Sequence, residues 1–179
     1  QANRNPLLYK DIGVDGMKTG HTREAGYGLA ATALRNDRRL IAVVTGLESP
    51  SQRASEVERL LNFGFRQFAN YNLFSAGEVV ISGDVWLGKM PKIGLVIEDD
   101  LTVSLHRNSR DKLRVTVKYD SPIPAPIAAG MELGRVFVEA PGFKTIELPL
   151  VAQEEVTLAG PIGRLKGAVS YMVFGAPNE

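Results

Sequence analysis

The fold and the chemistry of this chain can be inferred together from one stretch, Val14-Asp15-Gly16-Met17-Lys18-Thr19-Gly20-His21-Thr22. Residues 17–22 predict a strand. On a strand that lines a cleft, Lys18 would present an ammonium and Thr19 a hydroxyl to a substrate carboxylate. Gly20, which has no side chain, leaves room for a substrate backbone to lie against the strand edge. The stretch alone leaves two interpretations open, a strand that binds a ligand and a lysine in a glycine-bounded turn, and the surrounding motifs decide between them.

Two further strands and a helix follow this stretch. Residues 26–34 and 39–47 predict strands, and Asn36-Asp37 between them suits a tight hairpin. Apolar or small residues occupy both alternating sets of positions in the third strand, which predicts that both of its faces are covered. Ser49-Pro50-Ser51 is a helix start, and one apolar stripe with helical spacing follows it. The stripe comprises Val57, Leu60, Leu61, Gly64, Phe65 and Phe68.

The pattern changes after residues 70–77, which mark the predicted boundary between two domains. Beyond it, short runs of period two are separated by turn residues at intervals typical of an antiparallel sandwich. The run Ser121-Pro122-Ile123-Pro124-Ala125-Pro126 lacks the donors of a central strand and is therefore a loop or an edge. The predicted strands are 78–81, 85–87, 93–97, 101–105, 113–119, 132–139 and 143–150.

We therefore predict an α+β chain in three parts. A partial antiparallel sheet with a helix occupies 1–75, an all-β sandwich occupies 76–160, and a tail occupies 161–179. An apolar helical face in the tail favours an amphipathic segment that lies on a membrane surface. Three glycines in the same segment weaken a helix and favour a final strand or a frayed end. The apolar face comprises Ile162, Leu165, Val169, Met172 and Val173.

The composition excludes several classes of function. The net charge is +1 and the basic residues are scattered over the 179 residues, which argues against a nucleic-acid surface. The chain has no cysteine, so disulfides, cysteine metal sites and a thiol nucleophile are excluded. Glu98-Asp99-Asp100 matches no calcium loop and is interpreted as a solvated turn. We therefore expect neither a metal nor a cofactor.

Several short motifs together resemble a known family. Lys18-Thr19-Gly20 matches the last of three motifs of penicillin-recognising acyl-serine enzymes, the others being S-x-x-K and an S-x-N element. With its surrounding motifs, the chain resembles low-molecular-weight penicillin-binding proteins, and among them the D-alanyl-D-alanine carboxypeptidases with an appended β-domain. The resemblance covers nearly the whole chain. The surrounding motifs are Asn3-Arg4-Asn5, Leu7-Leu8, Val14-Asp15-Gly16, His21-Thr22, Ala25-Gly26-Tyr27, Gln52-Arg53, Leu60-Leu61-Asn62-Phe63-Gly64-Phe65 and Pro149-Leu150-Val151.

The resemblance implies a serine acyl-enzyme that trims D-Ala from peptidoglycan pentapeptides and binds β-lactams. In that reaction Lys18 would add positive potential beside the serine–lysine network, and Thr19 would bind the terminal carboxylate. The backbone N–H of His21 would donate to the oxyanion. Arg53 would approach the same carboxylate; the alternative is an exposed helix arginine. The family also implies a periplasmic protein, peripheral on the inner membrane.

The two other motifs of the family do not precede Lys18 in this sequence. The one S-x-x-K match, Ser109-Arg110-Asp111-Lys112, follows it and lies between two predicted strands, where such residues are ordinary turn composition. We therefore expect part of a longer exported precursor that lacks its nucleophile and is inactive alone. Its open strand edge and uncovered apolar face predict self-association.

Two other functions remain open at this stage. A class A β-lactamase shares the K-T-G motif but has no appended β-domain, and the predicted β-domain at residues 76–160 argues against it. A non-catalytic binding or scaffolding module would also fit a chain without a nucleophile.

Overall fold

The computed structural model describes residues 2–161, 163 and 165. The chain divides into two compact units, with the division between Ala69 and Asn70. The sequence places this boundary between residues 75 and 76. The predicted interpretations of the tail, an amphipathic segment or a final strand, concern residues that lie almost entirely outside the described part.

The first unit is a three-stranded antiparallel sheet with one helix. A short 3-10 helix, Pro6–Tyr9, precedes the strands β1 (Val14–Thr22), β2 (Gly26–Arg35) and β3 (Arg38–Leu47), which lie in that order in the sheet. The hairpin between β2 and β3 turns at Asn36 and Asp37, whose φ angles are 48° and 59°. Both values lie in the left-handed region that a tight hairpin requires and that Asn and Asp tolerate. The three predicted strands and the predicted hairpin are confirmed.

The helix α1, Pro50–Gln67, begins as the sequence predicts and covers one face of this sheet. The side chain of Ser49 caps it by accepting a hydrogen bond from the N–H of Gln52 at 3.1 Å. The apolar stripe faces the sheet, and at Gly64 a Cβ atom would lie only 2.8 Å from a methyl group of Leu40, so the glycine permits the close approach. The buried core of the unit comprises Leu7, Val14, Leu29, Ala31, Ala33, Ala42, Val57 and Leu61.

The opposite face of the sheet is open. Ile41 and Val43 on β3 are 65% and 69% exposed. The prediction that β3 is covered on both faces is therefore wrong for the described part of this unit, because its single helix packs on the other side. Both β1 and β3 are edge strands of the described sheet.

The second unit is built from strands, as the sequence predicts. The strands are β4 (Phe68–Phe74), β5 (Val79–Trp86), β6 (Lys92–Val96), β7 (Leu101–His106), β8 (Arg114–Tyr119), β9 (Ile123–Pro124), β10 (Glu132–Glu139) and β11 (Ile146–Ala152). The largest sheet has six strands in the order β8-β10-β11-β6-β5-β9, and β4 pairs with β7 in a second sheet. The strand β4 follows α1 directly, in the segment that the sequence assigned to a boundary, and two of the predicted runs join to form β5.

Side chains from both sheets share the core of this unit. Val103 on β7 is buried together with Leu95 on β6 and Val136 on β10, as expected for two packed sheets. The proline-rich run supplies β9, which pairs in parallel with β5 at the edge of the larger sheet. The prediction of an edge position for this run is confirmed, since an edge strand does not need every backbone donor.

Candidate active site

The pairing of β1 with β2 determines which side chains of the K-T-G motif face the open side of the sheet. Lys18 lies opposite Ala30, and Thr19 lies opposite Leu29. Leu29 is buried under α1, so Thr19 is on the helix side and Lys18 is on the open side. The strand β1 is at the edge of the described sheet. Lys18 and Thr19 therefore both lie at that edge, but on opposite faces of the sheet.

Lys18 is exposed and has no acidic partner among the described residues. Its Nζ atom donates one hydrogen bond, to the backbone oxygen of Thr19 at 3.2 Å. An ammonium has three donors, so two of them are not used by that contact. The charge of Lys18 is therefore accessible to an anionic group at the sheet edge.

At the end of β1, His21 stacks on Tyr27, and Arg53 approaches the same ring. The imidazole of His21 lies parallel to the ring of Tyr27, with centroids 3.9 Å apart and planes at 10°. The guanidinium carbon of Arg53 lies 5.6 Å from the centroid of the Tyr27 ring. His21 Nδ1 is also 3.2 Å from the backbone oxygen of Gly26, which ties the ring to the next strand. The stack fixes the backbone of β1 immediately after the K-T-G motif.

Arg53 projects from α1 and joins the helix to this strand. It is only 7% exposed, and its Nη1 atom donates to the backbone oxygen of Gly20 at 3.2 Å. Its Nε atom is buried and has no hydrogen-bond partner within the described part of the chain. The alternative interpretation of Arg53 as an exposed helix arginine is therefore wrong. The guanidinium is instead a buried positive charge beside the motif.

An ion pair fixes the start of β1 on the open face of the sheet. Arg39 on β3 donates to both carboxylate oxygens of Asp15 at 2.8 Å, and to the hydroxyl of Thr32 at 2.6 Å. The hydrogen bond from Arg39 lowers the pKa of Asp15, and the same contact raises the pKa of Arg39. The pair spans the sheet and joins its two edge strands, β1 and β3.

Of the predicted site residues, Gly20 and Arg53 are in direct contact, and His21 is linked to Arg53 through the ring of Tyr27. Lys18 and Thr19 precede Gly20 and His21 on the same strand. Tyr27 is the residue of this site that the sequence interpretation missed. The motif Ala25-Gly26-Tyr27 contributed to the resemblance but was given no role. The hairpin register could have identified it, because His21 and Tyr27 are directly paired residues of β1 and β2.

Ser109 belongs to the second unit, whereas the K-T-G motif belongs to the first. The S-x-x-K match falls in a 3-10 helix, Arg107–Lys112, between β7 and β8 of the second unit. The Ser109 hydroxyl donates to the backbone oxygen of Pro141 at 3.3 Å. Its surroundings offer a turn and a backbone contact, as the sequence predicts.

Within the described residues, no cluster of His, Cys, Asp and Glu side chains has the arrangement of a metal site. Nor does any helix in that part of the chain have the length and apolar character needed to cross a membrane.

Comparison with family models divides the chain in two. Residues 1–49 match the model described as D-alanyl-D-alanine carboxypeptidase, and residues 68–158 match the model described as penicillin-binding protein 5, C-terminal domain. The second match covers about half of the chain and coincides with the β-rich unit.

Individual relatives agree with both matches. The chain is 36% identical to D-alanyl-D-alanine carboxypeptidase DacD of Salmonella typhimurium, over 92% of this chain and 43% of the relative. It is 36% identical to DacA of Haemophilus influenzae over the same shares of the two chains. The solved structure of penicillin binding protein 5 from Haemophilus influenzae superposes with a TM-score of 0.74 at 34% identity, over 88% of this chain and 46% of that one. The chain thus spans less than half the length of these relatives.

Proposed function

The chain belongs to the low-molecular-weight penicillin-binding proteins of the D-alanyl-D-alanine carboxypeptidase family, and from this premise we propose that it supplies the K-T-G strand of a serine-type carboxypeptidase. The substrate is the D-Ala-D-Ala end of a peptidoglycan pentapeptide, and β-lactams bind at the same place. The observation that carries the proposal is the hydrogen bond from Arg53 to the Gly20 oxygen, which holds a buried positive charge against the K-T-G motif.

Each residue of the site has a part in this reaction. The serine oxygen forms a bond to the carbonyl carbon of the penultimate D-Ala, and the peptide bond to the terminal D-Ala breaks as its nitrogen takes up a proton. Water then hydrolyses the ester and regenerates the serine. Lys18 provides positive potential for the serine–lysine network, and the His21 N–H donates to the oxyanion. Thr19 and Arg53 bind the terminal carboxylate through charge-assisted hydrogen bonds.

The serine of this reaction lies outside the sequence given. No serine precedes Lys18, and Ser109 belongs to a turn in the other unit. We therefore expect the 179-residue chain to be inactive by itself.

A chimera tests the proposal. The chain would replace the matching part of Haemophilus influenzae DacA, to which it is 36% identical, so that the remainder of that relative supplies the nucleophile. We expect this carboxypeptidase chimera to release D-Ala from a pentapeptide ending in D-Ala-D-Ala, and the chain alone to release none. A chimera that folds but releases no D-Ala at any concentration would contradict the proposal.

The class A β-lactamase alternative loses its support, because residues 68–158 match the C-terminal domain of a penicillin-binding protein. The scaffolding alternative predicts that the chimera binds peptidoglycan without turnover, which the same assay distinguishes. We propose placement in the periplasm, peripheral on the inner membrane, by analogy with the family. The predicted membrane contact concerns residues 161–179, most of which lie outside the described part.

We also propose that the isolated chain self-associates through the open face of the first unit. Val43 is 69% exposed on an edge strand, and open edges favour pairing between chains. Sedimentation at rising concentration should show a dimer or larger species, which Val43→Lys should weaken. Val115, 40% exposed in the second unit, provides the control substitution Val115→Lys. A wild-type chain that stays monomeric throughout would contradict the proposal.

A further inference from the structure

Two asparagine side chains bind the backbone of β1 directly before the K-T-G motif. The side-chain nitrogen of Asn5 donates to the backbone oxygen of Gly16 at 3.0 Å, and that of Asn3 donates to the backbone oxygen of Met17 at 3.0 Å. Gly16 and Met17 are the two residues that precede Lys18. The N-terminal segment therefore holds successive carbonyls of the motif strand by side-chain amides.

The Asn5 amide is anchored on the core side as well. The residue is 0% exposed, and its side-chain oxygen accepts a hydrogen bond from the N–H of Leu7 at 3.1 Å. Leu7 is itself a fully buried member of the core. The Asn5 N–H donates to the side-chain oxygen of Asn3 at 2.9 Å, which links the two asparagines. The nitrogen and the oxygen of this buried amide are both hydrogen-bonded. Loss of either hydrogen bond would cost free energy of folding, because it would leave a buried polar group unsatisfied.

The strand needs such an anchor because its pairing is irregular at this point. The register of β1 against β2 shifts between Val14 and Gly16, as in a β-bulge. Beyond the shift, Lys18 lies opposite Ala30 on the open face. A slip of one residue would move every following side chain to the other face and would turn Lys18 toward α1.

We propose that Asn5, assisted by Asn3, is a positioning residue that fixes the register of β1 and so places the K-T-G motif. Asn5 acts through the strand and does not touch the substrate. The structural part of the inference, that Asn5 fixes the register of β1, rests on its hydrogen bonds alone. The catalytic part, that this register matters for turnover, rests on the proposed function.

The variant Asn5→Asp tests the structural part in the 179-residue chain. Aspartate keeps the acceptor for the Leu7 N–H but, when ionised, has no hydrogen to donate to the Gly16 oxygen. We expect the amides of residues 16–21 to exchange with deuterium about tenfold faster, while the amides that join β2 to β3 keep their rates. The control is Asn62→Ala, which removes a hydrogen bond from Arg35 to α1 in the same unit. Equal exchange in the two variants at residues 16–21 would overturn the proposal.

The catalytic part is tested in the carboxypeptidase chimera. We expect Asn5→Asp to lower the rate of acylation by penicillin about tenfold per folded molecule, while Asn62→Ala leaves it unchanged. The affinity of the non-covalent penicillin complex should change less than the acylation rate, because a displaced motif affects the reacting geometry most. Faster exchange with an unchanged acylation rate would overturn the positioning role. A wild-type chimera that is not acylated would count against the proposed function, and the exchange experiment would still decide the role of Asn5 in the strand.

Discussion

Replacement of Arg53 by methionine separates what this arginine does for the fold from what it does for the reaction. Among the described residues the guanidinium makes one hydrogen bond, to the Gly20 oxygen at 3.2 Å, and a cation–π contact with Tyr27 at 5.6 Å. The first contributes about 1.5–3 kcal/mol and the second about 0.5–1 kcal/mol. Against them stands the buried Nε atom, which has no partner in the described part of the chain and whose desolvation costs about 1–3 kcal/mol. Methionine removes this cost and fills similar space.

We therefore expect Arg53→Met to change the free energy of unfolding by less than about 2 kcal/mol, since the gains and losses nearly cancel. Arg35 provides a matched control. Its Nε donates to the Ile12 oxygen at 2.7 Å and its Nη1 to the Asn62 side-chain oxygen at 2.9 Å. Its replacement by methionine removes both hydrogen bonds and relieves no unsatisfied buried atom, because none of its side-chain nitrogens is buried without a partner in the described residues. Arg35→Met should destabilise the chain by about 2–4 kcal/mol. Urea unfolding followed by circular dichroism measures both.

In the activity of the chimera, Arg53→Met should have the larger effect and Arg35→Met the smaller one, the reverse of their effects on stability. Loss of a charge-assisted contact to the substrate carboxylate is worth about 1.5–3 kcal/mol, so Arg53→Met should lower kcat/KM for D-Ala release about 10- to 150-fold. Arg35→Met should leave kcat/KM of the folded fraction unchanged. The reasoning would be refuted if Arg53→Met destabilised the chain more than Arg35→Met while turnover per folded molecule stayed the same.

Three further outcomes follow from the same contacts. Lys18→Ala in the chimera should abolish most acylation by penicillin with little change in the free energy of unfolding, because Lys18 is exposed and, within the described part of the chain, donates only to the Thr19 oxygen. A normal acylation rate, read by intact mass, would remove Lys18 from the mechanism. Leu61→Ala should destabilise the first unit by about 2–5 kcal/mol because the side chain is 1% exposed. Phe63→Ala, at a 46% exposed position, should lower the free energy of unfolding far less, as measured by urea unfolding. Equal losses would contradict the assigned packing of α1. The pKa of Asp15 is lowered in the folded state from the ordinary value of 3.8, so the ionised side chain stabilises the fold above that value, and this stabilisation is lost as the pH falls through the folded pKa. Urea unfolding measured from pH 7 into the acid range should therefore show a shallower loss of stability for Asp15→Asn than for the wild type. An equal loss would contradict the pairing of Asp15 with Arg39.

Local patterns in the sequence were sufficient to predict most of the first unit. Asn36-Asp37 identified the hairpin because few residues tolerate its backbone angles, and Ser49 identified the helix start because its hydroxyl caps the first turn. The strand β4 was missed, since it begins directly at the end of the helix and no glycine or proline marks the change.

The contacts of the site were harder to predict than its position. Lys18, Thr19, Gly20 and His21 form a local motif that the family resemblance identifies. The burial of Arg53 depends on where α1 crosses the sheet, and the amide contacts of Asn5 depend on a register shift in β1. Both are tertiary properties that no spacing within the sequence specifies.

The most direct test of the central claim is the intact mass of the chain and of the carboxypeptidase chimera after incubation with penicillin. If this chain supplies the K-T-G strand of a serine carboxypeptidase, the chimera gains the mass of one penicillin on a serine of the relative's part, and the 179-residue chain gains none. A chimera that folds and stays unmodified would contradict the account. An adduct on the isolated chain, above all one that maps to Ser109, would contradict it equally.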